Sequence, residues 1–199
     1  MDRLTDAAPV GRPRNPNVDR AILDAAQDLL LERGYAGTTV AAVAERARCG
    51  KSAIYRRWPG KADLVVAAVL ASQVPPVPPD TGSLRGDLIA AAMHFSGRDD
   101  RSARVLASML TALGDDGDLR AKASREVGRP PVAAIAAVIE RWIGRGVVPA
   151  TAPVALLAGI IPTAAFGSVV LQRRHLDESA VTELVDAVVI PALLAVARE

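Results

Sequence analysis

Apolar residues return every three or four positions along most of this chain, and strict alternation is absent. Val18, Ile22, Ala25, Ala26, Leu29 and Leu30 mark one face of a first helix. Asn15 is placed to cap it, Pro16 to open it, and Asp19 to favour its positive end. Gly34 is expected to stop it in a left-handed conformation. Thr38 or Thr39 can cap a second helix over about 39–46, with Val40, Val43, Ala44 and Ala47 inward. After the break Arg48-Cys49-Gly50, a third short helix is expected over about 51–57, ended by Pro59-Gly60. A fourth runs from Lys61 to Ala71. The run Val74-Pro75-Pro76-Val77-Pro78-Pro79 suits neither helix nor sheet and predicts a stiff connector at a domain boundary. Six helical stretches follow, at about 82–97, 101–113, 116–127, 130–145, 151–173 and 178–197, separated at Gly- and Pro-containing breaks. The expected fold is all-α: a leader over 1–14, a three-helix unit with a fourth helix over 15–73, and a larger helical body over 80–199.

Composition narrows the class. Half of the 199 residues are hydrophobic, which excludes a wholly disordered chain, and only 3% are aromatic, so the cores must be aliphatic. The single cysteine, Cys49, can form no internal disulfide and reads as a packing residue in the turn. The first residues lack the apolar run of a signal peptide, and a cytoplasmic location is expected. The net charge of +2 conceals an uneven distribution. Between 33 and 61, Arg33, Arg46, Arg48, Lys51, Arg56, Arg57 and Lys61 face one acid, Glu45. A cationic patch on a nearly neutral chain suits an anionic polymer or a membrane surface, or is simply a solvated face.

Two short helices joined by a tight turn form a helix-turn-helix pattern. Ile54 and Trp58 share an inward face of its second helix, leaving Lys51, Ser52, Tyr55 and Arg56 to other faces. Cations suit phosphates, small residues allow close approach to bases, and a phenol can donate to a phosphate oxygen. The run Gly34-Tyr35-Ala36-Gly37-Thr38-Thr39-Val40, then Val43-Ala44-Glu45-Arg46-Ala47, then Lys51 through Leu64 resembles the DNA-binding domain of the TetR family of bacterial transcriptional regulators. The resemblance implies that Thr38 caps the second helix, that Thr39 contacts a phosphate, and that Val40 reaches a base. It places Lys51, Ser52 and Ala53 in the major groove, with Tyr55 and Lys61 on phosphates and Arg56 and Arg57 on phosphates or guanine edges. The family usually carries Gly where this chain has Arg48, so the turn at 48–50 is open to a shift of one residue. Arg12 and Arg14, on a Pro-stiffened leader, can enter an A·T-rich minor groove or form part of an inert tail.

The body offers fewer signals. No charged residue occurs from Gly146 to Gln172, a stretch long enough to span a bilayer but interrupted by three prolines. It reads better as a helix buried against a second subunit, with no membrane partner. Gly159, Thr163 and Gly167 form a small-residue stripe flanked by Leu156, Ile160 and Leu171, and the last helix adds Leu184 and Val188. The resemblance implies a homodimer built from these two helices, reading a double-stranded palindromic operator, and a small-molecule effector in the body. Met93, His94, Phe95, Met109, Trp142 and Phe166 are the candidate pocket residues. No metal cluster, cofactor fingerprint or nucleophile motif suggests an enzyme. The expected function is a ligand-responsive repressor; the alternative is a helical small-molecule-binding or scaffold protein without sequence-specific DNA binding.

Overall fold

The computed structural model describes residues 16–96 and 100–195, and among these every regular element is helical. The leader, with Arg12, Arg14 and the Asn15 cap, lies outside the described residues. Helices α1 (Pro16–Gly37), α2 (Val40–Arg46), α3 (Lys51–Tyr55) and α4 (Lys61–Ala71) form a head. The body contains α5 (Leu84–Ala92), α6 (Asp100–Leu110), α7 (Gly117–Ala123), α8 (Arg129–Gly144), α9 (Val154–Gln172), α10 (Glu178–Leu184) and α11 (Ile190–Ala195).

Gly34 takes φ 63° and ψ −173°, a conformation open essentially to glycine alone, and kinks α1 instead of ending it. One further turn carries the chain to Gly37. The predicted break at Gly128–Pro131 is not a break. Ser124–Gly128 forms a single π turn that joins α7 to α8. Pro130 and Pro131 lack the N–H groups that α-helical bonding to the preceding turn requires, which favours the wider turn there. A second π turn, Val185–Val189, joins α10 to α11 just before Pro191.

Three apolar cores organise the chain. Ile22, Leu29, Val43, Ile54 and Leu64 fill the head, with Trp58 and Cys49 packed on its margin. Leu30, Val65, Val66 and Val69 from α1 and α4 join Leu106, Met109, Leu119 and Val127 in a second core, so the head is seated on α6 and α7. Leu88, Ile135, Ile139, Trp142, Leu157, Ile161 and Val185 belong to the third. Ion pairs reinforce the seat: Arg101 meets Asp28 at 2.5 Å and Lys122 meets Asp63 at 2.7 Å. Tyr35 donates to Asp116 at 2.6 Å, and burial with this bond to a carboxylate raises the phenol's pKa. At the start of the body, buried Asp87 accepts from the Thr81 hydroxyl at 2.7 Å and from Trp142 Nε1 at 2.8 Å, fixing the end of the connector.

Candidate nucleic-acid interface and ligand cavity

Helix α2 begins at Thr39, whose hydroxyl accepts from the Ala42 N–H at 3.1 Å. Thr38, expected as the cap, is buried and donates instead to the Gly34 carbonyl at 2.8 Å. It fastens the kink, and Thr39 takes the capping role. Val40 is buried in the head core, so its side chain does not face outward.

The left-handed residue of the turn is Arg48. Cys49 N–H bonds to the Ala44 carbonyl at 2.9 Å and Arg48 N–H to the Glu45 carbonyl at 3.1 Å. This paired closure of a helix end requires a left-handed residue, and Arg48 supplies it at φ 51°. Gly50 has an ordinary φ of −76° and opens α3. The glycine therefore does not shift the turn; an arginine occupies the position that glycine would fill without strain. Cys49 is half-buried, and desolvation pushes its thiol pKa up, away from reactivity.

On α3, Ile54 is fully buried, while Lys51, Ser52 and Arg56 are exposed and Tyr55 is 51% exposed. Ala53 is half-buried. The cations divide into two sets. Arg57 is nearly buried, pairs with Asp19 of α1, and donates to the Ala53 carbonyl at 2.9 Å. Lys61 lies over the Tyr35 ring at 3.9 Å and donates to the Ala36 carbonyl at 3.3 Å; burial lowers its pKa. Arg46 forms a two-pronged pair with Glu32 at 2.6 and 2.7 Å. No described partner engages the side chains of Arg48, Lys51 or Arg56. Of the seven cations in the basic segment, Arg46, Arg57 and Lys61 are spent on the head's own frame, Arg33 lies near Glu32 on α1, and three remain beside or on α3.

The proline-rich connector forms one wall of a cavity. Ser72 through Val77, the end of α5, α6, Val127 and α9 line a partly open cavity of about 580 Å³. Met93, His94, Phe95 and Phe166 line it. Met109 and Trp142 do not: Met109 is sealed in the second core, and Trp142 is turned to Asp87. Sequence reasoning missed Ser102, Leu106, Val127, Val169 and His175. The two histidines, distant in sequence, face one cavity because α9 returns His175 to α6, where Ser102 Oγ lies 2.9 Å from its Nε2. Burial holds the His94 imidazole below its ordinary pKa, against a hydrogen bond to the Val74 backbone, and neighbouring His175 depresses it further.

On the outer side of α9, Leu156 is 68% and Leu171 83% exposed, with Thr163 exposed between them and Ile160 half-buried. A Cβ added at Gly159 or Gly167 would meet no atom of this chain within 4 Å. Leu184 is half-buried and Val188 exposed on the adjoining helices. The opposite side of α9 packs inward through Leu157, Ala158, Ile161 and Ala165.

The comparisons agree with this anatomy. Residues 22–68 match the model for bacterial regulatory proteins of the tetR family, and residues 78–188 that for the tetracyclin repressor-like C-terminal domain. An uncharacterized HTH-type transcriptional regulator of Mycobacterium tuberculosis is 31% identical over 194 residues, 96% of this chain and 93% of that protein. A DNA-binding transcriptional repressor TetR of Mycobacteroides abscessus is 33% identical over 133 residues, 63% of this chain and 68% of that protein. Salmonella enterica GusR shares the fold at a TM-score of 0.69 and 17% identity, over 90% of this chain and 96% of that one. With its helix-turn-helix head, all-helical body and full-length relatives, this chain belongs to the TetR family of ligand-responsive, DNA-binding transcriptional regulators.

Proposed function

We propose that this chain is a cytoplasmic homodimeric repressor whose operator contacts are narrower than its basic segment suggests. Lys51, Ser52, Ala53, Tyr55 and Arg56 enter or border the major groove, and Thr39 and Arg48 flank the phosphates. Arg57, Lys61 and Val40 hold the frame that presents them. The observation that carries this reading is the division of cations: Arg46, Arg57 and Lys61 are engaged within the head, while Arg48, Lys51 and Arg56 have no described partner. An exposed cation with no internal partner is free to replace counterions along a duplex.

The outer faces of α9, α10 and α11 join two copies. Leu156, Gly159, Ile160, Thr163, Gly167, Leu171, Leu184 and Val188 contribute, with the glycines admitting a partner helix at close range. A two-fold dimer sets two α3 helices about 34 Å apart, one duplex turn. The cavity is the effector site. Its connector wall continues directly from α4, so an occupant touches the chain that leads into the head. It lowers operator affinity by binding one arrangement of the heads better than the other. Anisotropy titrations on duplexes from DNA flanking the chain's own gene test the DNA reading. Sequence-specific binding lost in Lys51→Ala and Tyr55→Ala supports it; binding that is sequence-blind and merely salt-sensitive contradicts it.

A further inference from the structure

Helix α9 has two unlike halves on either side of Pro162. Before the proline, Leu157, Ala158 and Ile161 are seated in the third core. After it, Ala165, Phe166 and Val169 border the cavity. The outer side of this second half carries exposed Thr163 and Leu171, with Gly167 between them, where an added Cβ would meet no atom of this chain within 4 Å. Phe166 and Gly167 are consecutive, so about 3.8 Å of backbone separates a cavity residue from an outward one.

Pro162 has no N–H to give to the Ala158 carbonyl, so α9 yields most easily between its halves. A side chain that borders a cavity lacks packing partners on that side. The second half is thus thinly held from within and uncovered from without. Its brace across the cavity is Phe95, whose ring meets that of Phe166 edge to face at 6.0 Å. Whichever contact comes first, from the cavity or from outside, must order this segment, and the next contact meets it already ordered.

We propose that the second half of α9 is a shared wall linking the cavity to the pairing of two copies: an occupant of the cavity tightens the pair, and pairing tightens the hold on the occupant by the same factor. The inference rests on the reading of the outer face of α9 as the surface that joins two copies, and it sets no condition on the occupant's charge. An effector in this cavity then releases DNA by rearranging the two heads, and not by separating the copies.

Subunit exchange between donor- and acceptor-labelled copies of the full chain tests the link without a ligand. Leu106→Trp, from α6, or Ala91→Phe, from α5, fills the cavity from a wall other than α9. In whichever variant keeps a cooperative thermal transition, exchange is expected to slow about 10-fold. Phe95→Leu removes the brace without altering α9 and is expected to speed exchange about 10-fold. Leu157→Ala, a deletion in the seated half, is expected to leave it within about 2-fold. Hydrogen exchange supplies a second readout: amides over 163–172 are expected to be slower in the filled variant, with those over 154–161 unchanged. If neither filled variant folds, the contrast between Phe95→Leu and Leu157→Ala decides. Subunit exchange unaltered by every cavity substitution, in a chain whose pairing is lost in Leu171→Glu, overturns the link and leaves the pairing face in place. Faster subunit exchange in the filled variant, or an equal effect of Leu157→Ala and Phe95→Leu, also overturns the link. Pairing that survives Leu171→Glu overturns both readings.

Discussion

The outward sides of α3 and α9 are both left uncovered by the rest of the chain, and by opposite physics. Around α3 the exposed groups are the cations Arg48, Lys51 and Arg56 with the half-exposed Tyr55. Along α9 they are Leu156, Thr163 and Leu171, with glycines opening onto empty space. The first surface is comfortable in water, and its value appears only against a polyanion. The second is costly in water, and a second apolar surface removes that cost. A regulator that must leave DNA and return, yet stay paired while doing so, needs this asymmetry: a salt-sensitive contact at one end and a hydrophobic one at the other.

The largest test attacks the apolar face. Thr163→Arg places a charge in the centre of the small-residue stripe. It is expected to yield monomers by sedimentation and to lower operator affinity about 100-fold or more, because the second head loses its tether. Retained dimers would move the interface elsewhere.

The next contrasts a committed cation with a free one. Arg57→Ala removes the partner of Asp19 and is expected to cost about 1–3 kcal/mol of stability in thermal or urea unfolding, with the salt dependence of DNA binding unchanged. Lys51→Ala is expected to leave stability nearly unaltered, weaken binding about 10-fold and reduce the salt slope by about one. Interchanged effects would erase the division drawn here.

Arg48 sharpens the same division. In Arg48→Gly the left-handed backbone is relieved, so unfolding stability is expected to rise by about 1 kcal/mol while operator affinity falls. Higher stability with unaltered affinity would reduce Arg48 to a helix-end residue.

The smallest effect is the proton's. Unfolded His94 takes up a proton below its ordinary pKa of 6.5, whereas folded His94 resists it. Stability therefore falls as pH drops through that value and goes on falling until the depressed folded pKa is reached. His94→Phe is expected to flatten this dependence between about pH 7 and 5 in pH-resolved melts.

The head was the more legible half, because its fold and chemistry reside in local spacing. Ile54 and Trp58 told the inner face of α3, and Lys51, Tyr55 and Arg56 the outer. What spacing could not reveal was commitment. Nothing near Arg57 in the sequence shows that Asp19, on α1, will claim it. The Thr38–Thr39 choice likewise turned on a kink at Gly34 that continues a turn past the expected stop. In the body, an apolar side chain reads alike whether it borders a cavity or fills a core. Phe95 and Phe166 reached the cavity; Met109 was enclosed between α1, α4 and α6, and Trp142 was turned away by the buried Asp87. The prolines at 75 and 76 keep their segment out of helix, but only tertiary packing makes that segment a wall.

Footprinting tests most directly the claim that a cationic face reads DNA while an apolar face pairs the readers. On DNA flanking the chain's own gene, wild-type protein should protect two half-sites with centres about 34 Å apart, and Thr163→Arg should lose both together at the same concentration. Protection of a single half-site by Thr163→Arg at wild-type concentration would contradict it.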